Sequence, residues 1–337
     1  MMRSLNATLD QLAGVEIAEL LQRDDIMEIY VNDDGFLRYK SLTEGKRKTE
    51  LKLEPEKVRA IIELITGQAH KVVNGDIPSV STEITGYGCR FQGELPPIVR
   101  FPQFNIRKKA TRIFTFADYV ADGELEPFHR DYLEKAIKER KNILVVGGTG
   151  TGKTTFLNAV LEAIARISPN HRIISLEDLP ELQCPADDYS PMFTMQDAGT
   201  DGTTYNMTRL LADCMRRSPD RIIIGEVRDG AAYTMLKAWN TGHPGGVCTV
   251  HADTAESGFQ RIEGLALESP DAPRNMVVLQ KLIGQAIDVV LSIVHTTLPN
   301  GLEGRKIDQV IEVEGYDSIS DKYIFKDVKE DNDAEKG

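Results

Sequence analysis

The spacing of apolar residues changes character along the chain. Up to Asp25, Leu5, Leu9, Leu12, Val15, Ile17, Leu20 and Leu21 recur at mostly helical intervals, which predicts an N-terminal helix. Met27 to Val31 then alternates in the manner of a half-buried strand. Asn32-Asp33-Asp34-Gly35 supplies turn residues, and Phe36 to Tyr39 is expected to return antiparallel. Val58, Ile61, Ile62, Leu64 and Ile65, following Pro55, predict a second amphipathic helix stopped by Gly67. From Tyr87, two strand-like pieces flank Pro96-Pro97. Residues 1–108 therefore predict a small α+β domain, and residues 109–126, with Asp118, Asp122 and Gly123, an interdomain linker.

Beyond the linker, strands and helices alternate. A helix from Pro127 to Arg140 leads to the apolar strand Ile143-Leu144-Val145-Val146, and a helix carrying Phe156, Leu157, Val160, Leu161, Ile164 and Ile167 follows. Further strands are expected at Arg172–Leu176, Arg221–Ile224, Val247–Val250, Val289–Val294 and Ile307–Val313. Helices are expected at Met207–Arg217, Gly230–Trp239, Ala255–Leu267 and Asn275–Ile287. Such alternation builds a doubly wound α/β sheet, here over residues 127–325. Residues 326–337 are charged, lack a core face and read as a mobile acidic tail.

Between the first strand of that sheet and its helix stands GGTGTGKTT, Gly147 to Thr155, which fits G-x-x-x-x-G-K-[ST] from Gly147 through Thr154. Gly147, Gly148, Gly150 and Gly152 let the backbone curl around an anion at the positive end of a helix, with Thr149, Thr151 and Thr155 completing the cradle. Lys153 would reach the β and γ phosphates, and Thr154 would place its hydroxyl on Mg²⁺. A glycine-rich turn without a ligand is the plainer reading. The full eight-position pattern in strand-to-helix context argues against it.

Ligands of open α/β sheets sit at the carboxyl ends of strands. Glu177 and Asp178 follow one apolar run, Glu226 another and His251 a third. Hydrolysis of a bound nucleotide needs one carboxylate to orient water and another to hold Mg²⁺, and Glu177 and Glu226 supply that pair. Glu177 is the favoured water activator and Glu226 the Walker B residue and metal partner, although the reverse is open; a helix cap or surface charge is the plain alternative for each. His251 would contact the γ-phosphate or be a hydrogen-bonded structural histidine. His243 lies in a turn that could move, and Trp239 is expected in the core with its indole N–H paired.

The net charge of −12 over 337 residues argues against a nucleic-acid groove as the main surface. Positive charge nonetheless gathers at Arg90, Arg100, Arg107, Lys108 and Lys109, as a solvated face or as arginines that lean over a phosphate. Cys89, Cys184, Cys214 and Cys248 form no C-x-x-C pair, so neither a zinc ribbon nor a disulfide framework is indicated. The chain has no apolar run long enough for a membrane span and no signal-peptide layout, which predicts a cytoplasmic protein.

The succession GGTGTGKTT, RIISLEDLPEL, RRSPDRIIIGEVRD and TGHPGGVCTVHADTA resembles the phosphate loop, acidic box, Walker B and histidine box of the bacterial secretion ATPases. EIYVND, RFQGELPPI and FNIRKKA favour the type IV secretion and conjugation branch, and the chain is most similar to the TrbB conjugal-transfer ATPases, over roughly residues 15 to 315. The four-cysteine module usual in type II members is missing. The resemblance implies a RecA-like P-loop NTPase core behind a smaller N-terminal α+β domain, ATP and Mg²⁺ as cofactors, and a homohexameric ring. That ring would act with inner-membrane secretion components, peripherally at the membrane. It also implies that Lys153 and Thr154 are the phosphate and magnesium residues, Glu177 the catalytic glutamate, Glu226 the Walker B glutamate, His251 a phosphate sensor, and Arg90 and Arg107 nucleotide contacts. Arg216, Arg217 and Arg228 are candidates for a neighbour's nucleotide. A type IV pilus or type II secretion motor, a RecA-like nucleic-acid motor and a scaffold that binds ATP without turnover are the alternatives.

Overall fold

The computed structural model describes residues 15–41, 43–84, 87–109, 113–195, 204–297 and 303–330. They fall into two compact units, one holding the described residues up to Lys109 and the other those from Ile113 onward. Leu5, Leu9 and Leu12 of the expected first helix lie outside the described residues; its continuation is α1 (Val15–Gln22).

The first unit is an antiparallel sheet of β1 (Ile26–Val31), β2 (Phe36–Ser41), β3 (Gly45–Lys52), β4 (Ser79–Ile84), β5 (Cys89–Glu94) and β6 (Gln103–Arg107), in the order β3-β2-β1-β6-β5-β4. The expected β1–β2 hairpin forms. One face of the sheet, with Ile29, Val80, Ile84, Phe91, Phe104 and Ile106, closes a core with α1 and α2 (Pro55–Gln68). At Gly93 an added Cβ would come within 2.8 Å of Ile62 Cγ2, so glycine there lets α2 lie close to β5. Contrary to expectation, α2 runs through Gly67, whose added Cβ would meet nothing within 4 Å; the left-handed residue past its end is His70. Strand β3, GKRKTELK, escaped the pattern because it is a lysine-rich edge whose side chains mostly face solvent.

The second unit is built on β7 (Ile143–Gly147), β8 (Ile173–Glu177), β9 (Tyr189–Phe193), β10 (Arg221–Ile224), β11 (Val247–Val250), β12 (Val289–Thr297), β13 (Glu303–Asp317) and β14 (Lys322–Asp327). Their order is β14-β13-β12-β7-β11-β10-β8-β9. The run from β12 to β9 is parallel, and β13 and β14 extend it antiparallel. Strand β7 is buried throughout because helices cover both faces. Its Ile143 and Val145 enter one layer with α3 (Phe116–Ala121), α4 (Pro127–Lys138) and α5 (Lys153–Ile167). Its Leu144 and Val146 enter the other with α6 (Met207–Met215), α7 (Ala231–Asn240), α8 (Ala255–Leu267) and α9 (Met276–Ala286).

Three parts of this unit differ from expectation. The linker segment from Ile113 onward belongs to the second unit. It holds α3, capped reciprocally by Thr115 and Asp118, and Phe116 and Tyr119 pack on Phe156 with ring centroids 5.7 and 5.2 Å away. The supposed tail begins inside β14, and Val328 bonds on through its N–H to Val310 O, 2.9 Å, and through its carbonyl to His129 Nε2, 3.1 Å. Strand β9, YSPMF, was hidden by Pro191, which an edge strand tolerates.

At the amino ends of the strands, two buried side chains fix the turn that leads into β11. Arg221 is 1% exposed and donates Nη1 to Gly245 O (3.1 Å), Nη2 to Ile137 O (2.7 Å) and Nε to His171 Nδ1 (3.1 Å). Burial presses this guanidinium down to about 10. Asn142 accepts from the N–H groups of Gly245 and Gly246 at 2.8 and 2.9 Å and donates to Ala286 O at 2.8 Å. The turn after His243 is thus pinned at its far end. Trp239 is in the core as expected, but its indole N–H has no hydrogen-bond partner among the described residues and lies against Gly246. Gly246→Ala, whose methyl would overlap that indole, is expected to lower stability by about 1–3 kcal/mol. Gly264→Ala, on an open helix face, should raise it by about 0.5–1 kcal/mol. Urea denaturation of the two variants beside the parent protein measures both.

Candidate nucleotide site

The phosphate loop leaves β7 at Gly147 and enters α5 at Lys153. Gly150 and Gly152 take φ of +75° and +93°, which suits glycine, and Thr151 donates Oγ1 to Gly148 O at 3.0 Å to close the curl. No side chain caps α5 at Gly152, so the first-turn N–H groups around Thr154 and Thr155 remain directed to the loop. Thr149 and Gly150 form the exposed crest.

Lys153 is only 7% exposed. Its Nζ donates to Gly147 O and Gly148 O, both 2.8 Å, and lies 3.2 Å from His251 Nδ1. An ammonium can only donate, so Nδ1 accepts and the ring proton sits on Nε2. Nε2 lies 2.8 Å from Glu226 Oε1, in close contact but off the line of a hydrogen bond. Glu226 Oε2 takes Arg228 Nη2 at 2.6 Å, and Arg228 Nη1 reaches Asp178 Oδ2 at 3.7 Å. Asp178 Oδ1 in turn accepts from Thr194 Oγ1 at 2.9 Å. These residues follow β7, β11, β10, β8 and β9, which is the order of the strands in the sheet. Beyond Glu226 the far end of this polar chain opens on a cavity of about 420 Å³, lined among others by Asp178, Thr194, Tyr205, Asn206, Glu226 and Arg228.

Burial first, then the Lys153 and Arg228 cations, holds His251 below the usual imidazole range, while Glu226 pulls it back. Glu177 ends β8 at 3% exposure. Its Oε2 accepts from the N–H groups of Glu181 and Leu182 at 2.8 and 2.7 Å, and its Oε1 accepts from Ser175 Oγ at 3.3 Å. Burial raises this carboxyl, and the two amides partly offset the rise. Its side chain runs past Gly225, where an added Cβ would stand 3.3 Å from Glu177 Cγ.

Arg90 and Arg107 lie in the first unit, on the sheet face opposite its core. They are direct cross-strand partners, flanked in register by Glu83 and Glu28, so the ladder reads Glu28-Arg107-Arg90-Glu83 across β1, β6, β5 and β4. Adjacent like charges disfavour one another unless anions share the face. Of the other arginines, Arg216 pairs with Asp213 at 3.2 Å, Arg217 donates to Ser190 Oγ at 3.0 Å, and Arg228 is held by Glu226 and Asp178 as above. Two residues at the loop had no motif to announce them. His295 Nε2 is 3.2 Å from Thr149 O, and the Arg305 guanidinium covers Gly152 while its Nε faces Glu124 Oε2 at 3.4 Å.

A parallel sheet wound on both faces, with a phosphate loop at its centre and carboxylates at the neighbouring strand ends, defines a RecA-like nucleotide-binding P-loop protein. The solved fold of Legionella pneumophila DotB, an ATPase, matches with TM-score 0.61 at 17% identity, covering 89% of this chain and 79% of that one. The pilus retraction motor PilT with bound ADP matches with TM-score 0.62 at 19% identity, over 89% and 82%. Among sequence relatives, the probable conjugal transfer protein TrbB of Sinorhizobium fredii is 38% identical over 91% of this chain and 89% of its own. The conjugal transfer protein TrbB of Rhizobium radiobacter is 38% identical over 91% and 90%. PtlH, a type IV secretion system protein of Bordetella pertussis, is 30% identical over 86% and 91%. Residues 78–314 match the family described as type II/IV secretion system protein. The chain belongs to that family and is one of its ATPases.

Since the folded pKa of His251 lies below its ordinary value, the native state favours the neutral ring. The stability this supplies is complete above about pH 6.5 and is lost as the pH falls through the lowered native value. The Tm of the protein relative to His251→Gln should therefore decline between about pH 8 and pH 5. The other histidines cancel in that difference, and a difference constant across the range would contradict the assignment.

Proposed function

We propose that this ATPase works as a homohexameric ring that hydrolyses ATP to power type IV secretion or conjugative transfer, through pilus assembly or substrate movement. It would act in the cytoplasm, peripherally at the inner membrane and against membrane components of the secretion machine. The observation that carries the hydrolytic reading is the contact series from Lys153 through His251 to Glu226 at the mouth of the phosphate loop. Similarity to conjugal-transfer and type IV secretion proteins supports the biological setting. Among the described residues no helix is long and apolar enough to cross a membrane.

In the proposed reaction the triphosphate lies in the amide cradle of Gly147 to Thr155. Lys153 exchanges its bonds to the Gly147 and Gly148 carbonyls for oxygens of the β and γ phosphates. Glu177 orients the attacking water and accepts its proton; its burial-raised pKa suits a base, and Oε1 is the less engaged oxygen. Glu226 Oε1 is buried without an aligned hydrogen bond, and it and the Thr154 hydroxyl are the hard oxygens that would hold Mg²⁺. When bound, the ion would supply positive charge that offsets the charge developing on the phosphates. His251 contacts the γ-phosphate and registers its departure. Arg90 and Arg107 supply further cations to the phosphates, a role supported by their side-by-side placement.

Glu177→Gln is expected to lower kcat by about 10²–10⁴-fold while nucleotide still binds. Lys153→Ala should lose binding and turnover together. Steady-state hydrolysis alongside equilibrium binding of an ATP analogue separates the two. Unchanged turnover in either variant would sink the assignment of its residue, and a Mg²⁺ requirement shifted by Glu177→Gln rather than Glu226→Gln would reverse the two carboxylates.

A further inference from the structure

The strand order gives the site a polarity. His251, Glu226 and Glu177 all follow strands on one side of β7, whereas β12 and β13 lie on the other. A triphosphate whose terminal phosphate faces His251 must therefore direct its nucleoside away from β11, toward the carboxyl end of β12. What stands there is one cross-strand pair, His295 on β12 and Arg305 on β13.

Both side chains rest on glycines of the loop. The open side of Gly150 faces the His295 ring, with an added Cβ 3.9 Å from Nε2. The open side of Gly152 is filled by Arg305, whose Nη1 and Cδ would be 2.5 and 2.9 Å from an added Cβ. Arg305 is held by Glu124 on its Nε edge, and the side chains of the pair are 19% and 18% exposed. The terminal nitrogens of Arg305 have no hydrogen-bond partner among the described residues. A guanidinium fixed along one edge presents its plane and its remaining donors to whatever lies above the loop.

Resting on the ATPase reading, we infer that Arg305 and His295 form the wall that receives the nucleoside of the bound nucleotide, Arg305 against the base and ribose. A planar cation is suited to the face of a purine and to ribose hydroxyls. Glu124 is a positioning residue that sets the height of that plane over Gly152.

Equilibrium binding of three ligands, ATP, ADP and inorganic tripolyphosphate, to the full chain tests this. Arg305→Gln is expected to weaken ATP and ADP by the same factor, about tenfold, and to leave tripolyphosphate unchanged. Arg305→Lys, which can retain the ion pair with Glu124 but not the plane, should behave alike. Glu124→Gln should lower Tm yet weaken nucleotides less than Arg305→Gln. Equal weakening of tripolyphosphate and ATP in both Arg305 variants, or ATP affinity unchanged in both, overturns the inference. If the parent protein binds tripolyphosphate but discriminates neither ATP nor ADP from it, the nucleoside wall is overturned while the phosphate loop stands. If the parent binds none of the three, the ATPase reading itself falls, and this inference with it.

Discussion

The arrangement of the site depends on solvating one buried ammonium. Lys153 is nearly withdrawn from water inside the loop, and an unpaired buried cation is prohibitively costly. Two loop carbonyls and the His251 ring meet that demand. The imidazole must then be neutral on Nδ1, which leaves its proton facing Glu226. Glu226 in turn is shared with Arg228, and Arg228 with Asp178. One desolvated charge thus dictates the residue type at each following strand end. A ligand that takes over the lysine's hydrogen bonds must alter His251 first and Glu226 next, because those are the groups left with a changed partner. This gives phosphate binding a physical route toward the cavity beside Arg228.

That route can be precise only if the strands do not slide, and the opposite edge of the sheet supplies the restraint. Arg221 satisfies carbonyls of α4 and of the turn before β11, while Asn142 ties the start of β7 to the same turn and to the end of α9. Both are polar groups buried in an otherwise apolar layer and bonded mostly to backbone, with His171 taking the Nε of Arg221, an arrangement that admits few alternative registers. The strand that leads to Lys153 and the strand that leads to His251 are therefore fixed to each other at their amino ends, away from the chemistry.

Much of this was legible in the sequence. The strands flanking the loop are uninterrupted apolar runs, which is what burial on both faces demands, and the loop carries a pattern that serves a single geometry. Glu226 and His251 were readable because strand-end position follows from the run before them. Less visible were features whose signal is spread over distant residues. Arg305 and His295 become neighbours of the loop only through the β12–β13 register, Glu124 only once α3 is seen to pack in the core, and neither relation has a local pattern. The edge strands β3 and β9 were obscured by lysines and a proline, the residues that sheet edges use to discourage further pairing. Trp239 lacks the expected partner because its ring is shaped to Gly246 rather than to an acceptor.

The net charge of −12 and the binding of a polyanion are reconciled locally. Around the loop, the cations Lys153, Arg228 and Arg305 are each restrained by a neutral or anionic neighbour, and long-range repulsion from surface carboxylates is damped within about 10 Å by salt. Amides and cations already oriented in this way would lose little in being ordered around an anion. The same acidic exterior opposes broad contact with a nucleic-acid backbone, since that binding depends on many loosely placed cations spread along a groove. Electrostatics at the two scales therefore select against different partners: the surface disfavours a long polyanion, while the loop is shaped for a short one presented end-on.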